Sequence, residues 1–321
     1  MTIPATIPQL STPVVPYDVQ GESVLTPLAS PSWWSAFPTG ISGKLLSAKT
    51  QDPMGMLASL LTQASRDVNN QIYGASGGAG DTSVQAALHT RLSRVSIING
   101  EFRLRAHGYP ITSVTSMGWE VGGTIYPLPQ NAQLGITIEG MTVHVPAPSI
   151  LSSGFESQLP MQQLNSGTYN IVWQYVSGWF HTQLTESVAA GATTLTVAKN
   201  APNGLVGLWK GQQLTLQDWA NNAVETVEVA SVSGDTITLT QPTLYAHPLP
   251  IAPDFIILTA VPSVLSEAAI YIVAGILLAG GQQAVILSPS GGSAKGTEAG
   301  AAEAMYDEAT IRLAPYRVAM Y

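Results

Sequence analysis

The chain has 321 residues, no cysteine and a formal net charge of −8, and only 10% of it is charged, where about a quarter is usual. So little Lys and Arg excludes a protein that wraps nucleic acid by neutralising phosphates, and the lack of cysteine excludes disulfides and thiolate metal sites. The length accommodates two modest domains or one large one, and a sparsely charged exterior rich in Thr, Ser, Gln, Gly and Pro suits a protein that hides much of its outside in an assembly.

The charge is uneven along the chain. Before residue 130 acids and bases match, whereas beyond it acids outnumber bases by more than two to one. The first residues, "MTIPATIPQLSTPVVPYDV", have neither the basic head nor the apolar centre of a secretory signal. Prolines recur every few residues through 1–49, which predicts an extended arm rather than a helix or a central strand. Disordered tails are usually polar and charged. This segment instead carries Trp33, Trp34 and Phe37 in "SPSWWSAFP", so the favoured reading is an arm whose aromatics dock on a neighbouring surface.

"TQDPMGMLASLLTQASRDVNNQIYG" predicts the first long helix. Asp52 is placed to cap it and Pro53 suits the first helical position. Leu57, Leu60, Leu61, Ala64, Val68 and Ile72 recur at helical spacing before Gly74. A glycine-rich loop and a second, shorter helix over about 82–93 are expected next. From Ser96 the period changes to two, and Asn-Gly, Gly-Tyr-Pro and Gly-Gly turns separate short strands. "GITIEGMTVHVP" and "GTYNIVWQYVSGW" read as further strands, with loop between them.

Residues 181–261 read as an inserted all-β module. Strands are expected in "GATTLTVAKN", "GQQLTLQDW", "VETVEVASVSGDTITLTQ" and "DFIILTAV", with a hairpin at Ser233, Gly234 and Asp235. Its expected core is Leu195, Val197, Leu214, Leu216, Trp219, Val227, Val229, Ile237 and Leu239. The apolar stretch 264–287 then predicts a buried or inter-subunit helix. Its uninterrupted apolar part, 268–279, falls short of the roughly 20 residues a bilayer needs. A Gly/Ser-rich hinge leads to an acidic, alanine-rich helix ending in "LAPYR".

Signals for chemistry are poor. "GASGG" at 74–78 matches G-x-S-x-G, yet a helix enters it and more glycine follows, so Ser76 lacks the strand-to-helix elbow of a nucleophile. "SGGSAKGT" lacks the Gly-Lys-Ser/Thr ending of a phosphate loop. The five histidines are scattered without metal-ligand spacing. Acid pairs such as Asp307 with Glu308, or Glu225 with Glu228, are expected on solvated faces. The expectation is a non-enzyme with no cofactor and no metal.

The order of pieces is more telling than any one motif: a helix ending "QIYG", a β segment with "YPITSVTS", a strand closing in "YVSGW", a proline-led apolar helix, and an acidic helix ending "LAPYR". This order resembles the head–tail connector family of tailed bacteriophages, the adaptors that form a ring beneath the portal. The resemblance covers roughly 50–180 and 262–317. It leaves out the arm at 1–49 and the β module, and the apolar helix here lacks the charged segment that follows it in many relatives.

The resemblance implies an α+β fold with a helical connector core of 50–180 and 262–321, short β-strands, and the module 181–261 inserted into it. It implies a virion neck protein, a ring of about twelve copies closed by rotation. Its partners would be further copies of itself, the portal protein and a downstream neck or tail component. Genomic DNA would pass through without sequence readout, an acidic lumen repelling its phosphates, and no membrane is involved. It further implies that Arg312, Leu313, Pro315, Tyr316 and Arg317 reach the portal or a neighbouring subunit, the arginines offering forked donors to carboxylates. Trp33 and Trp34 are the arm's candidate contacts. The alternative for the C-terminal residues is packing on their own subunit. The alternative for the whole is a tail, fibre or receptor-binding structural protein that works through its β module.

Overall fold

The computed structural model describes residues 19–20, 26–37, 39, 52–73, 84–121, 123–127, 135–146, 167–201, 204–279 and 298–317. Outside these lie most of the expected extended arm, Ser76 with its glycine-rich loop, the loop at 147–166, the end of the apolar stretch beyond 279, the hinge before the last helix, and residues 318–321. The chain forms two compact units, one of residues 1–23 and 78–178, the other of residues 24–77 and 179–321.

The first unit is a single antiparallel sheet. Its strands are β1 (Val19–Gln20), β2 (Ala87–Ile98), β3 (Glu101–Arg105), β4 (Ile111–Val121), β5 (Thr124–Pro127), β6 (Thr137–Glu139), β7 (Thr142–Pro146) and β8 (Thr168–Ser177). They run in the order β5-β4-β8-β2-β3-β7-β6, with β1 added beside β2. The β2–β3 hairpin turns at Asn99 and Gly100, which both take left-handed φ, 55° and 79°, the conformation that makes Asn-Gly the strongest short hairpin signal. Central β8 pairs with β2 on one side and β4 on the other. It supplies Tyr169, Ile171, Trp173 and Tyr175 to a core shared with Phe102, Leu104, Trp119, Val143 and Val145. Phe102 meets Trp119 and Tyr169 edge-on, the arrangement ring quadrupoles favour, and Trp173 Nε1 donates to Ser93 Oγ.

The expected helix at 82–93 is corrected here. Ala87–Ser96 pairs residue for residue with Ser177–Thr168. The stretch "ALHTRLSRV" is rich in helix formers, but a ten-residue ladder of cross-strand hydrogen bonds outweighs propensities of a few tenths of a kcal/mol per residue.

The second unit combines a small barrel with helices. The barrel strands are β9 (His181–Gln183), β10 (Thr194–Thr196), β11 (Gln213–Asp218), β12 (Ala223–Ser233), β13 (Thr236–Leu239) and β14 (Ile257–Thr259), in the order β10-β13-β12-β11-β14-β9. The two edge strands also meet. Leu184 bridges Val197, Thr185 N donates to Thr196 O and Ala198 N to Gln183 O, so the sheet curls back on itself and leaves no long free edge. Leu195, Val197, Leu214, Leu216, Val227, Val229, Ile237 and Leu239 fill its interior with Phe180, Ile256 and Leu258. Burying each such side chain is worth about 1.5–3 kcal/mol. Trp219, expected among them, instead stacks on Trp33 outside this core.

The helices of this unit are α1 (Pro31–Ala36), α2 (Pro53–Tyr73), α3 (Ser263–Ala279) and α4 (Glu298–Leu313), the last followed by a 3-10 turn at Ala314–Tyr316. Helix α1 corrects the extended path expected for 1–49: Ser30 Oγ accepts from Trp33 N and Pro31 sits in the first turn, the one part of a helix that tolerates proline. Helix α2 begins and ends where expected. Asp52 Oδ1 caps it by accepting from Gly55 N, and Leu57, Leu61, Ala64, Val68 and Ile72 form its buried face. Helix α3 is apolar apart from two serines, Glu267 and Tyr271 and is buried on most sides, as such a helix must be. Among the described residues no helix is long and apolar enough to cross a membrane.

The α+β fold built on a helical connector core is overturned. Among the described residues strand outweighs helix, and two antiparallel sheets carry most of the ordered structure. The long cross-strand pairings of 87–177, invisible to local periodicity, make the difference.

Candidate functional site

The barrel carries the most site-like feature, a proline-rich loop from Gln241 to Pro253. Four of its apolar side chains point outward: Leu244 (73% exposed), Tyr245, Leu249 and Ile251 (92% exposed). A loop that exposes so much apolar surface would ordinarily collapse. This one is held by its backbone. Val188 and His247 exchange both main-chain hydrogen bonds, Thr243 N donates to Ala192 O, and Leu249 N donates to Ser187 Oγ.

Beneath it lies a buried charged group. Glu225 on β12 faces inward with Val227 and Val229 by strand alternation. Its Oε2 accepts from Leu244 N at 2.7 Å and its Oε1 from Tyr245 N. Oε1 also accepts from His247 Nε2 at 2.7 Å, and the opposite ring nitrogen faces Asp218 Oδ2 at 3.4 Å. Asp218 in turn accepts from the backbone and side chain of Asn221. All three ionisable groups are buried. Glu225 was expected on a solvated face. Its place in "AVETVEV", in step with the inward valines, was the signal that pointed the other way. No group of three or more metal-ligating residues is found among the described residues, and the network acts as a staple for the loop above it.

The C-terminal candidates are engaged within their own unit. The Arg312 guanidinium pairs with Glu267 on α3 and Glu308 one turn back on α4, and lies over the Tyr271 ring. Leu313 is fully buried. Pro315 and Tyr316 form the 3-10 turn, where the Tyr316 ring meets Trp179 edge-on. Arg317 donates to Gln71 Oε1. Thus the last residue of "YVSGW", the start of "QIYG" and the end of "LAPYR" lie together. In the first unit, Gly178 N donates to Pro110 O, joining "YVSGW" to "YPITSVTS". Trp33 and Trp34 are buried, Trp33 stacking on Trp219 at 5.4 Å, and Ser32 of the same helix donates to Asp254.

A second buried histidine fastens the segment before α1. His181 Nε2 donates to Pro27 O, which places a proton on that nitrogen, and Nδ1 is hydrogen-bonded to Thr259 Oγ1. Complete burial pulls its pKa from 6.5 down to about 4, against a smaller upward pull from Pro27 O. Above pH 6.5 the residue is neutral folded or unfolded and costs nothing. Between pH 6.5 and 4 the unfolded chain takes up a proton that the folded one refuses. Stability is therefore expected to fall by about 3 kcal/mol across that window. Urea midpoints at pH 7 and pH 4.5 check this, and in His181→Leu the pH-dependent part of the loss should shrink.

No family model and no curated protein matches this chain. Among solved structures it is similar to the Gp54 tailspike of Acinetobacter baumannii bacteriophage AP22, in complex with A. baumannii capsular saccharide. That likeness covers 25% of this chain and 15% of the tailspike, at 22% identity and a TM-score of 0.20. So partial a match decides neither fold nor function.

Proposed function

We propose that this chain is a structural protein of a tailed-phage virion, of the tail, fibre or receptor-binding kind, in which the barrel unit is the working part. The observation that carries the reading is the loop of 241–253: apolar side chains held in the open by a buried carboxylate and paired backbone. Exposed apolar surface on a hydrogen-bonded loop marks an interaction site. The scarcity of charge along the whole chain fits a protein whose exterior is covered in an assembly. It works by contact and performs no turnover.

Electron microscopy of virions decorated with gold-labelled antibody to this chain tests the position. Label along or at the end of the tail is the expected result, and label at the head–tail junction would overturn it. The double variant Leu244→Ser, Ile251→Ser should fold and melt like the parent, since both side chains are solvent-exposed, yet be lost from purified particles.

One observation favours a second reading, a neck adaptor docking on the portal. The stretches that resemble the connector family, "QIYG", "YVSGW" and "LAPYR", are in mutual contact through Gln71, Trp179, Tyr316 and Arg317. Under this reading Pro315, exposed in the 3-10 turn, and the free parts of Tyr316 and Arg317 would meet the portal, and deletion of 314–321 would leave folded protein that no longer attaches to portal-bearing heads.

A further inference from the structure

The second unit contains a pocket of about 540 Å³ bounded by α1, the outer face of β11 and the start of α3, within the usual range for small-ligand sites. Its chemistry follows from strand alternation. Leu214 and Leu216 point into the barrel core, so Gln213, Thr215 and Gln217 form a row on the opposite face and line the pocket. Beside the row stands the stacked pair Trp33 and Trp219, ring planes within 8° of parallel, both also lining it.

Two polar atoms on these walls are left over. Gln217 Oε1 and Trp219 Nε1 are buried and have no hydrogen-bond partner among the described residues. An orphaned buried polar group costs about 1–3 kcal/mol, and such groups call for an explanation. One needs a donor and the other an acceptor. A hydroxyl serves as either. Among the described residues no Lys, Arg or His lines the pocket, which argues against an anionic ligand, and Glu267, the one carboxylate among them, is paired with Arg312, which argues against a cation. A purely apolar ligand would leave the amide row unpaired.

We propose that this pocket binds a neutral saccharide. The apolar face of a sugar ring packs on the half-buried Trp219, which Trp33 backs from its other side, and its hydroxyls donate to Gln217 Oε1, accept from Trp219 Nε1 and bond the side chains of Gln213 and Thr215. The inference goes beyond the virion reading and does not depend on it, because the pocket's chemistry is the same at the tail, at the neck or elsewhere.

The test is titration of the full chain with glucose, galactose and N-acetylglucosamine, followed by tryptophan fluorescence and saturation-transfer NMR. Saturable binding of at least one sugar is expected, weakened about tenfold by Gln217→Leu and by Gln213→Leu, as losing one or two hydrogen bonds to the ligand predicts. Gln213 is exposed, so its replacement keeps the test valid if Gln217→Leu disturbs folding. No saturable binding of any of the three sugars, or binding that survives both substitutions, overturns the proposal whatever the particle location turns out to be.

Discussion

Glu225→Ala is expected to destabilise the barrel unit by about 3–5 kcal/mol, because it leaves three buried donors without their acceptor at about 1–3 kcal/mol each. For a unit of this size that is on the order of 10 °C in the unfolding midpoint. The cost has two sources. His247 Nε2 loses its acceptor while still buried, and the backbone N–H groups of Leu244 and Tyr245 lose theirs, each orphaned group carrying a desolvation penalty. Glu225→Gln keeps one accepting oxygen but turns an NH2 group toward donors, so it should fall between parent and alanine variant. Hydrogen exchange separates the local effect from the global one: the amides of Leu244 and Tyr245 should lose protection in the alanine variant before the barrel strands do. An unchanged midpoint with protection retained at both amides would mean that something other than Glu225 holds the loop, and the proposed recognition surface would lose its support.

The second large effect is expected at Gly178, in the "YVSGW" stretch. Its φ is +95°, and a Cβ there would lie 2.5 Å from Gln85 O and 2.7 Å from Gln85 C. These are backbone atoms that no side-chain rotation can move aside. Gly178→Ala combines left-handed strain with overpacking, together about 2–6 kcal/mol, and should abolish or severely reduce soluble folded protein. Gly123→Ala is the control. Gly123 has a similar φ of +85° but nothing among the described residues within 4 Å of its Cβ position, so it should lose only the conformational part, about 1 kcal/mol. Chemical denaturation of both variants checks the difference. Equal losses would mean that the approach of Gln85 does not constrain this position.

Some of the molecule could be read directly from neighbouring residues. The cap at Asp52, the apolar stripe of α2, the Asn99–Gly100 turn and the alternating strands of the barrel with eight of their inward residues all follow from patterns of two to four positions. Such patterns survive folding because each element must bury one face whatever it packs against. The same rule points Glu225 inward with Val227 and Val229, but its charge led to the opposite expectation, a solvated face.

The rest rests on pairs of residues far apart in the chain. Residues 87–96 are strand because 168–177 lies alongside them, and that partnership, about eighty positions away, outweighs a local helical preference. Glu225 tolerates burial because His247 and two loop amides converge on it. Arg312 is occupied by Glu267, forty-five positions earlier, and Trp219 leaves the barrel core for Trp33. Each outcome depends on what a fold brings within a few ångströms, where hydrogen bonds and charge pairs act. Composition and local spacing carry no record of those distances.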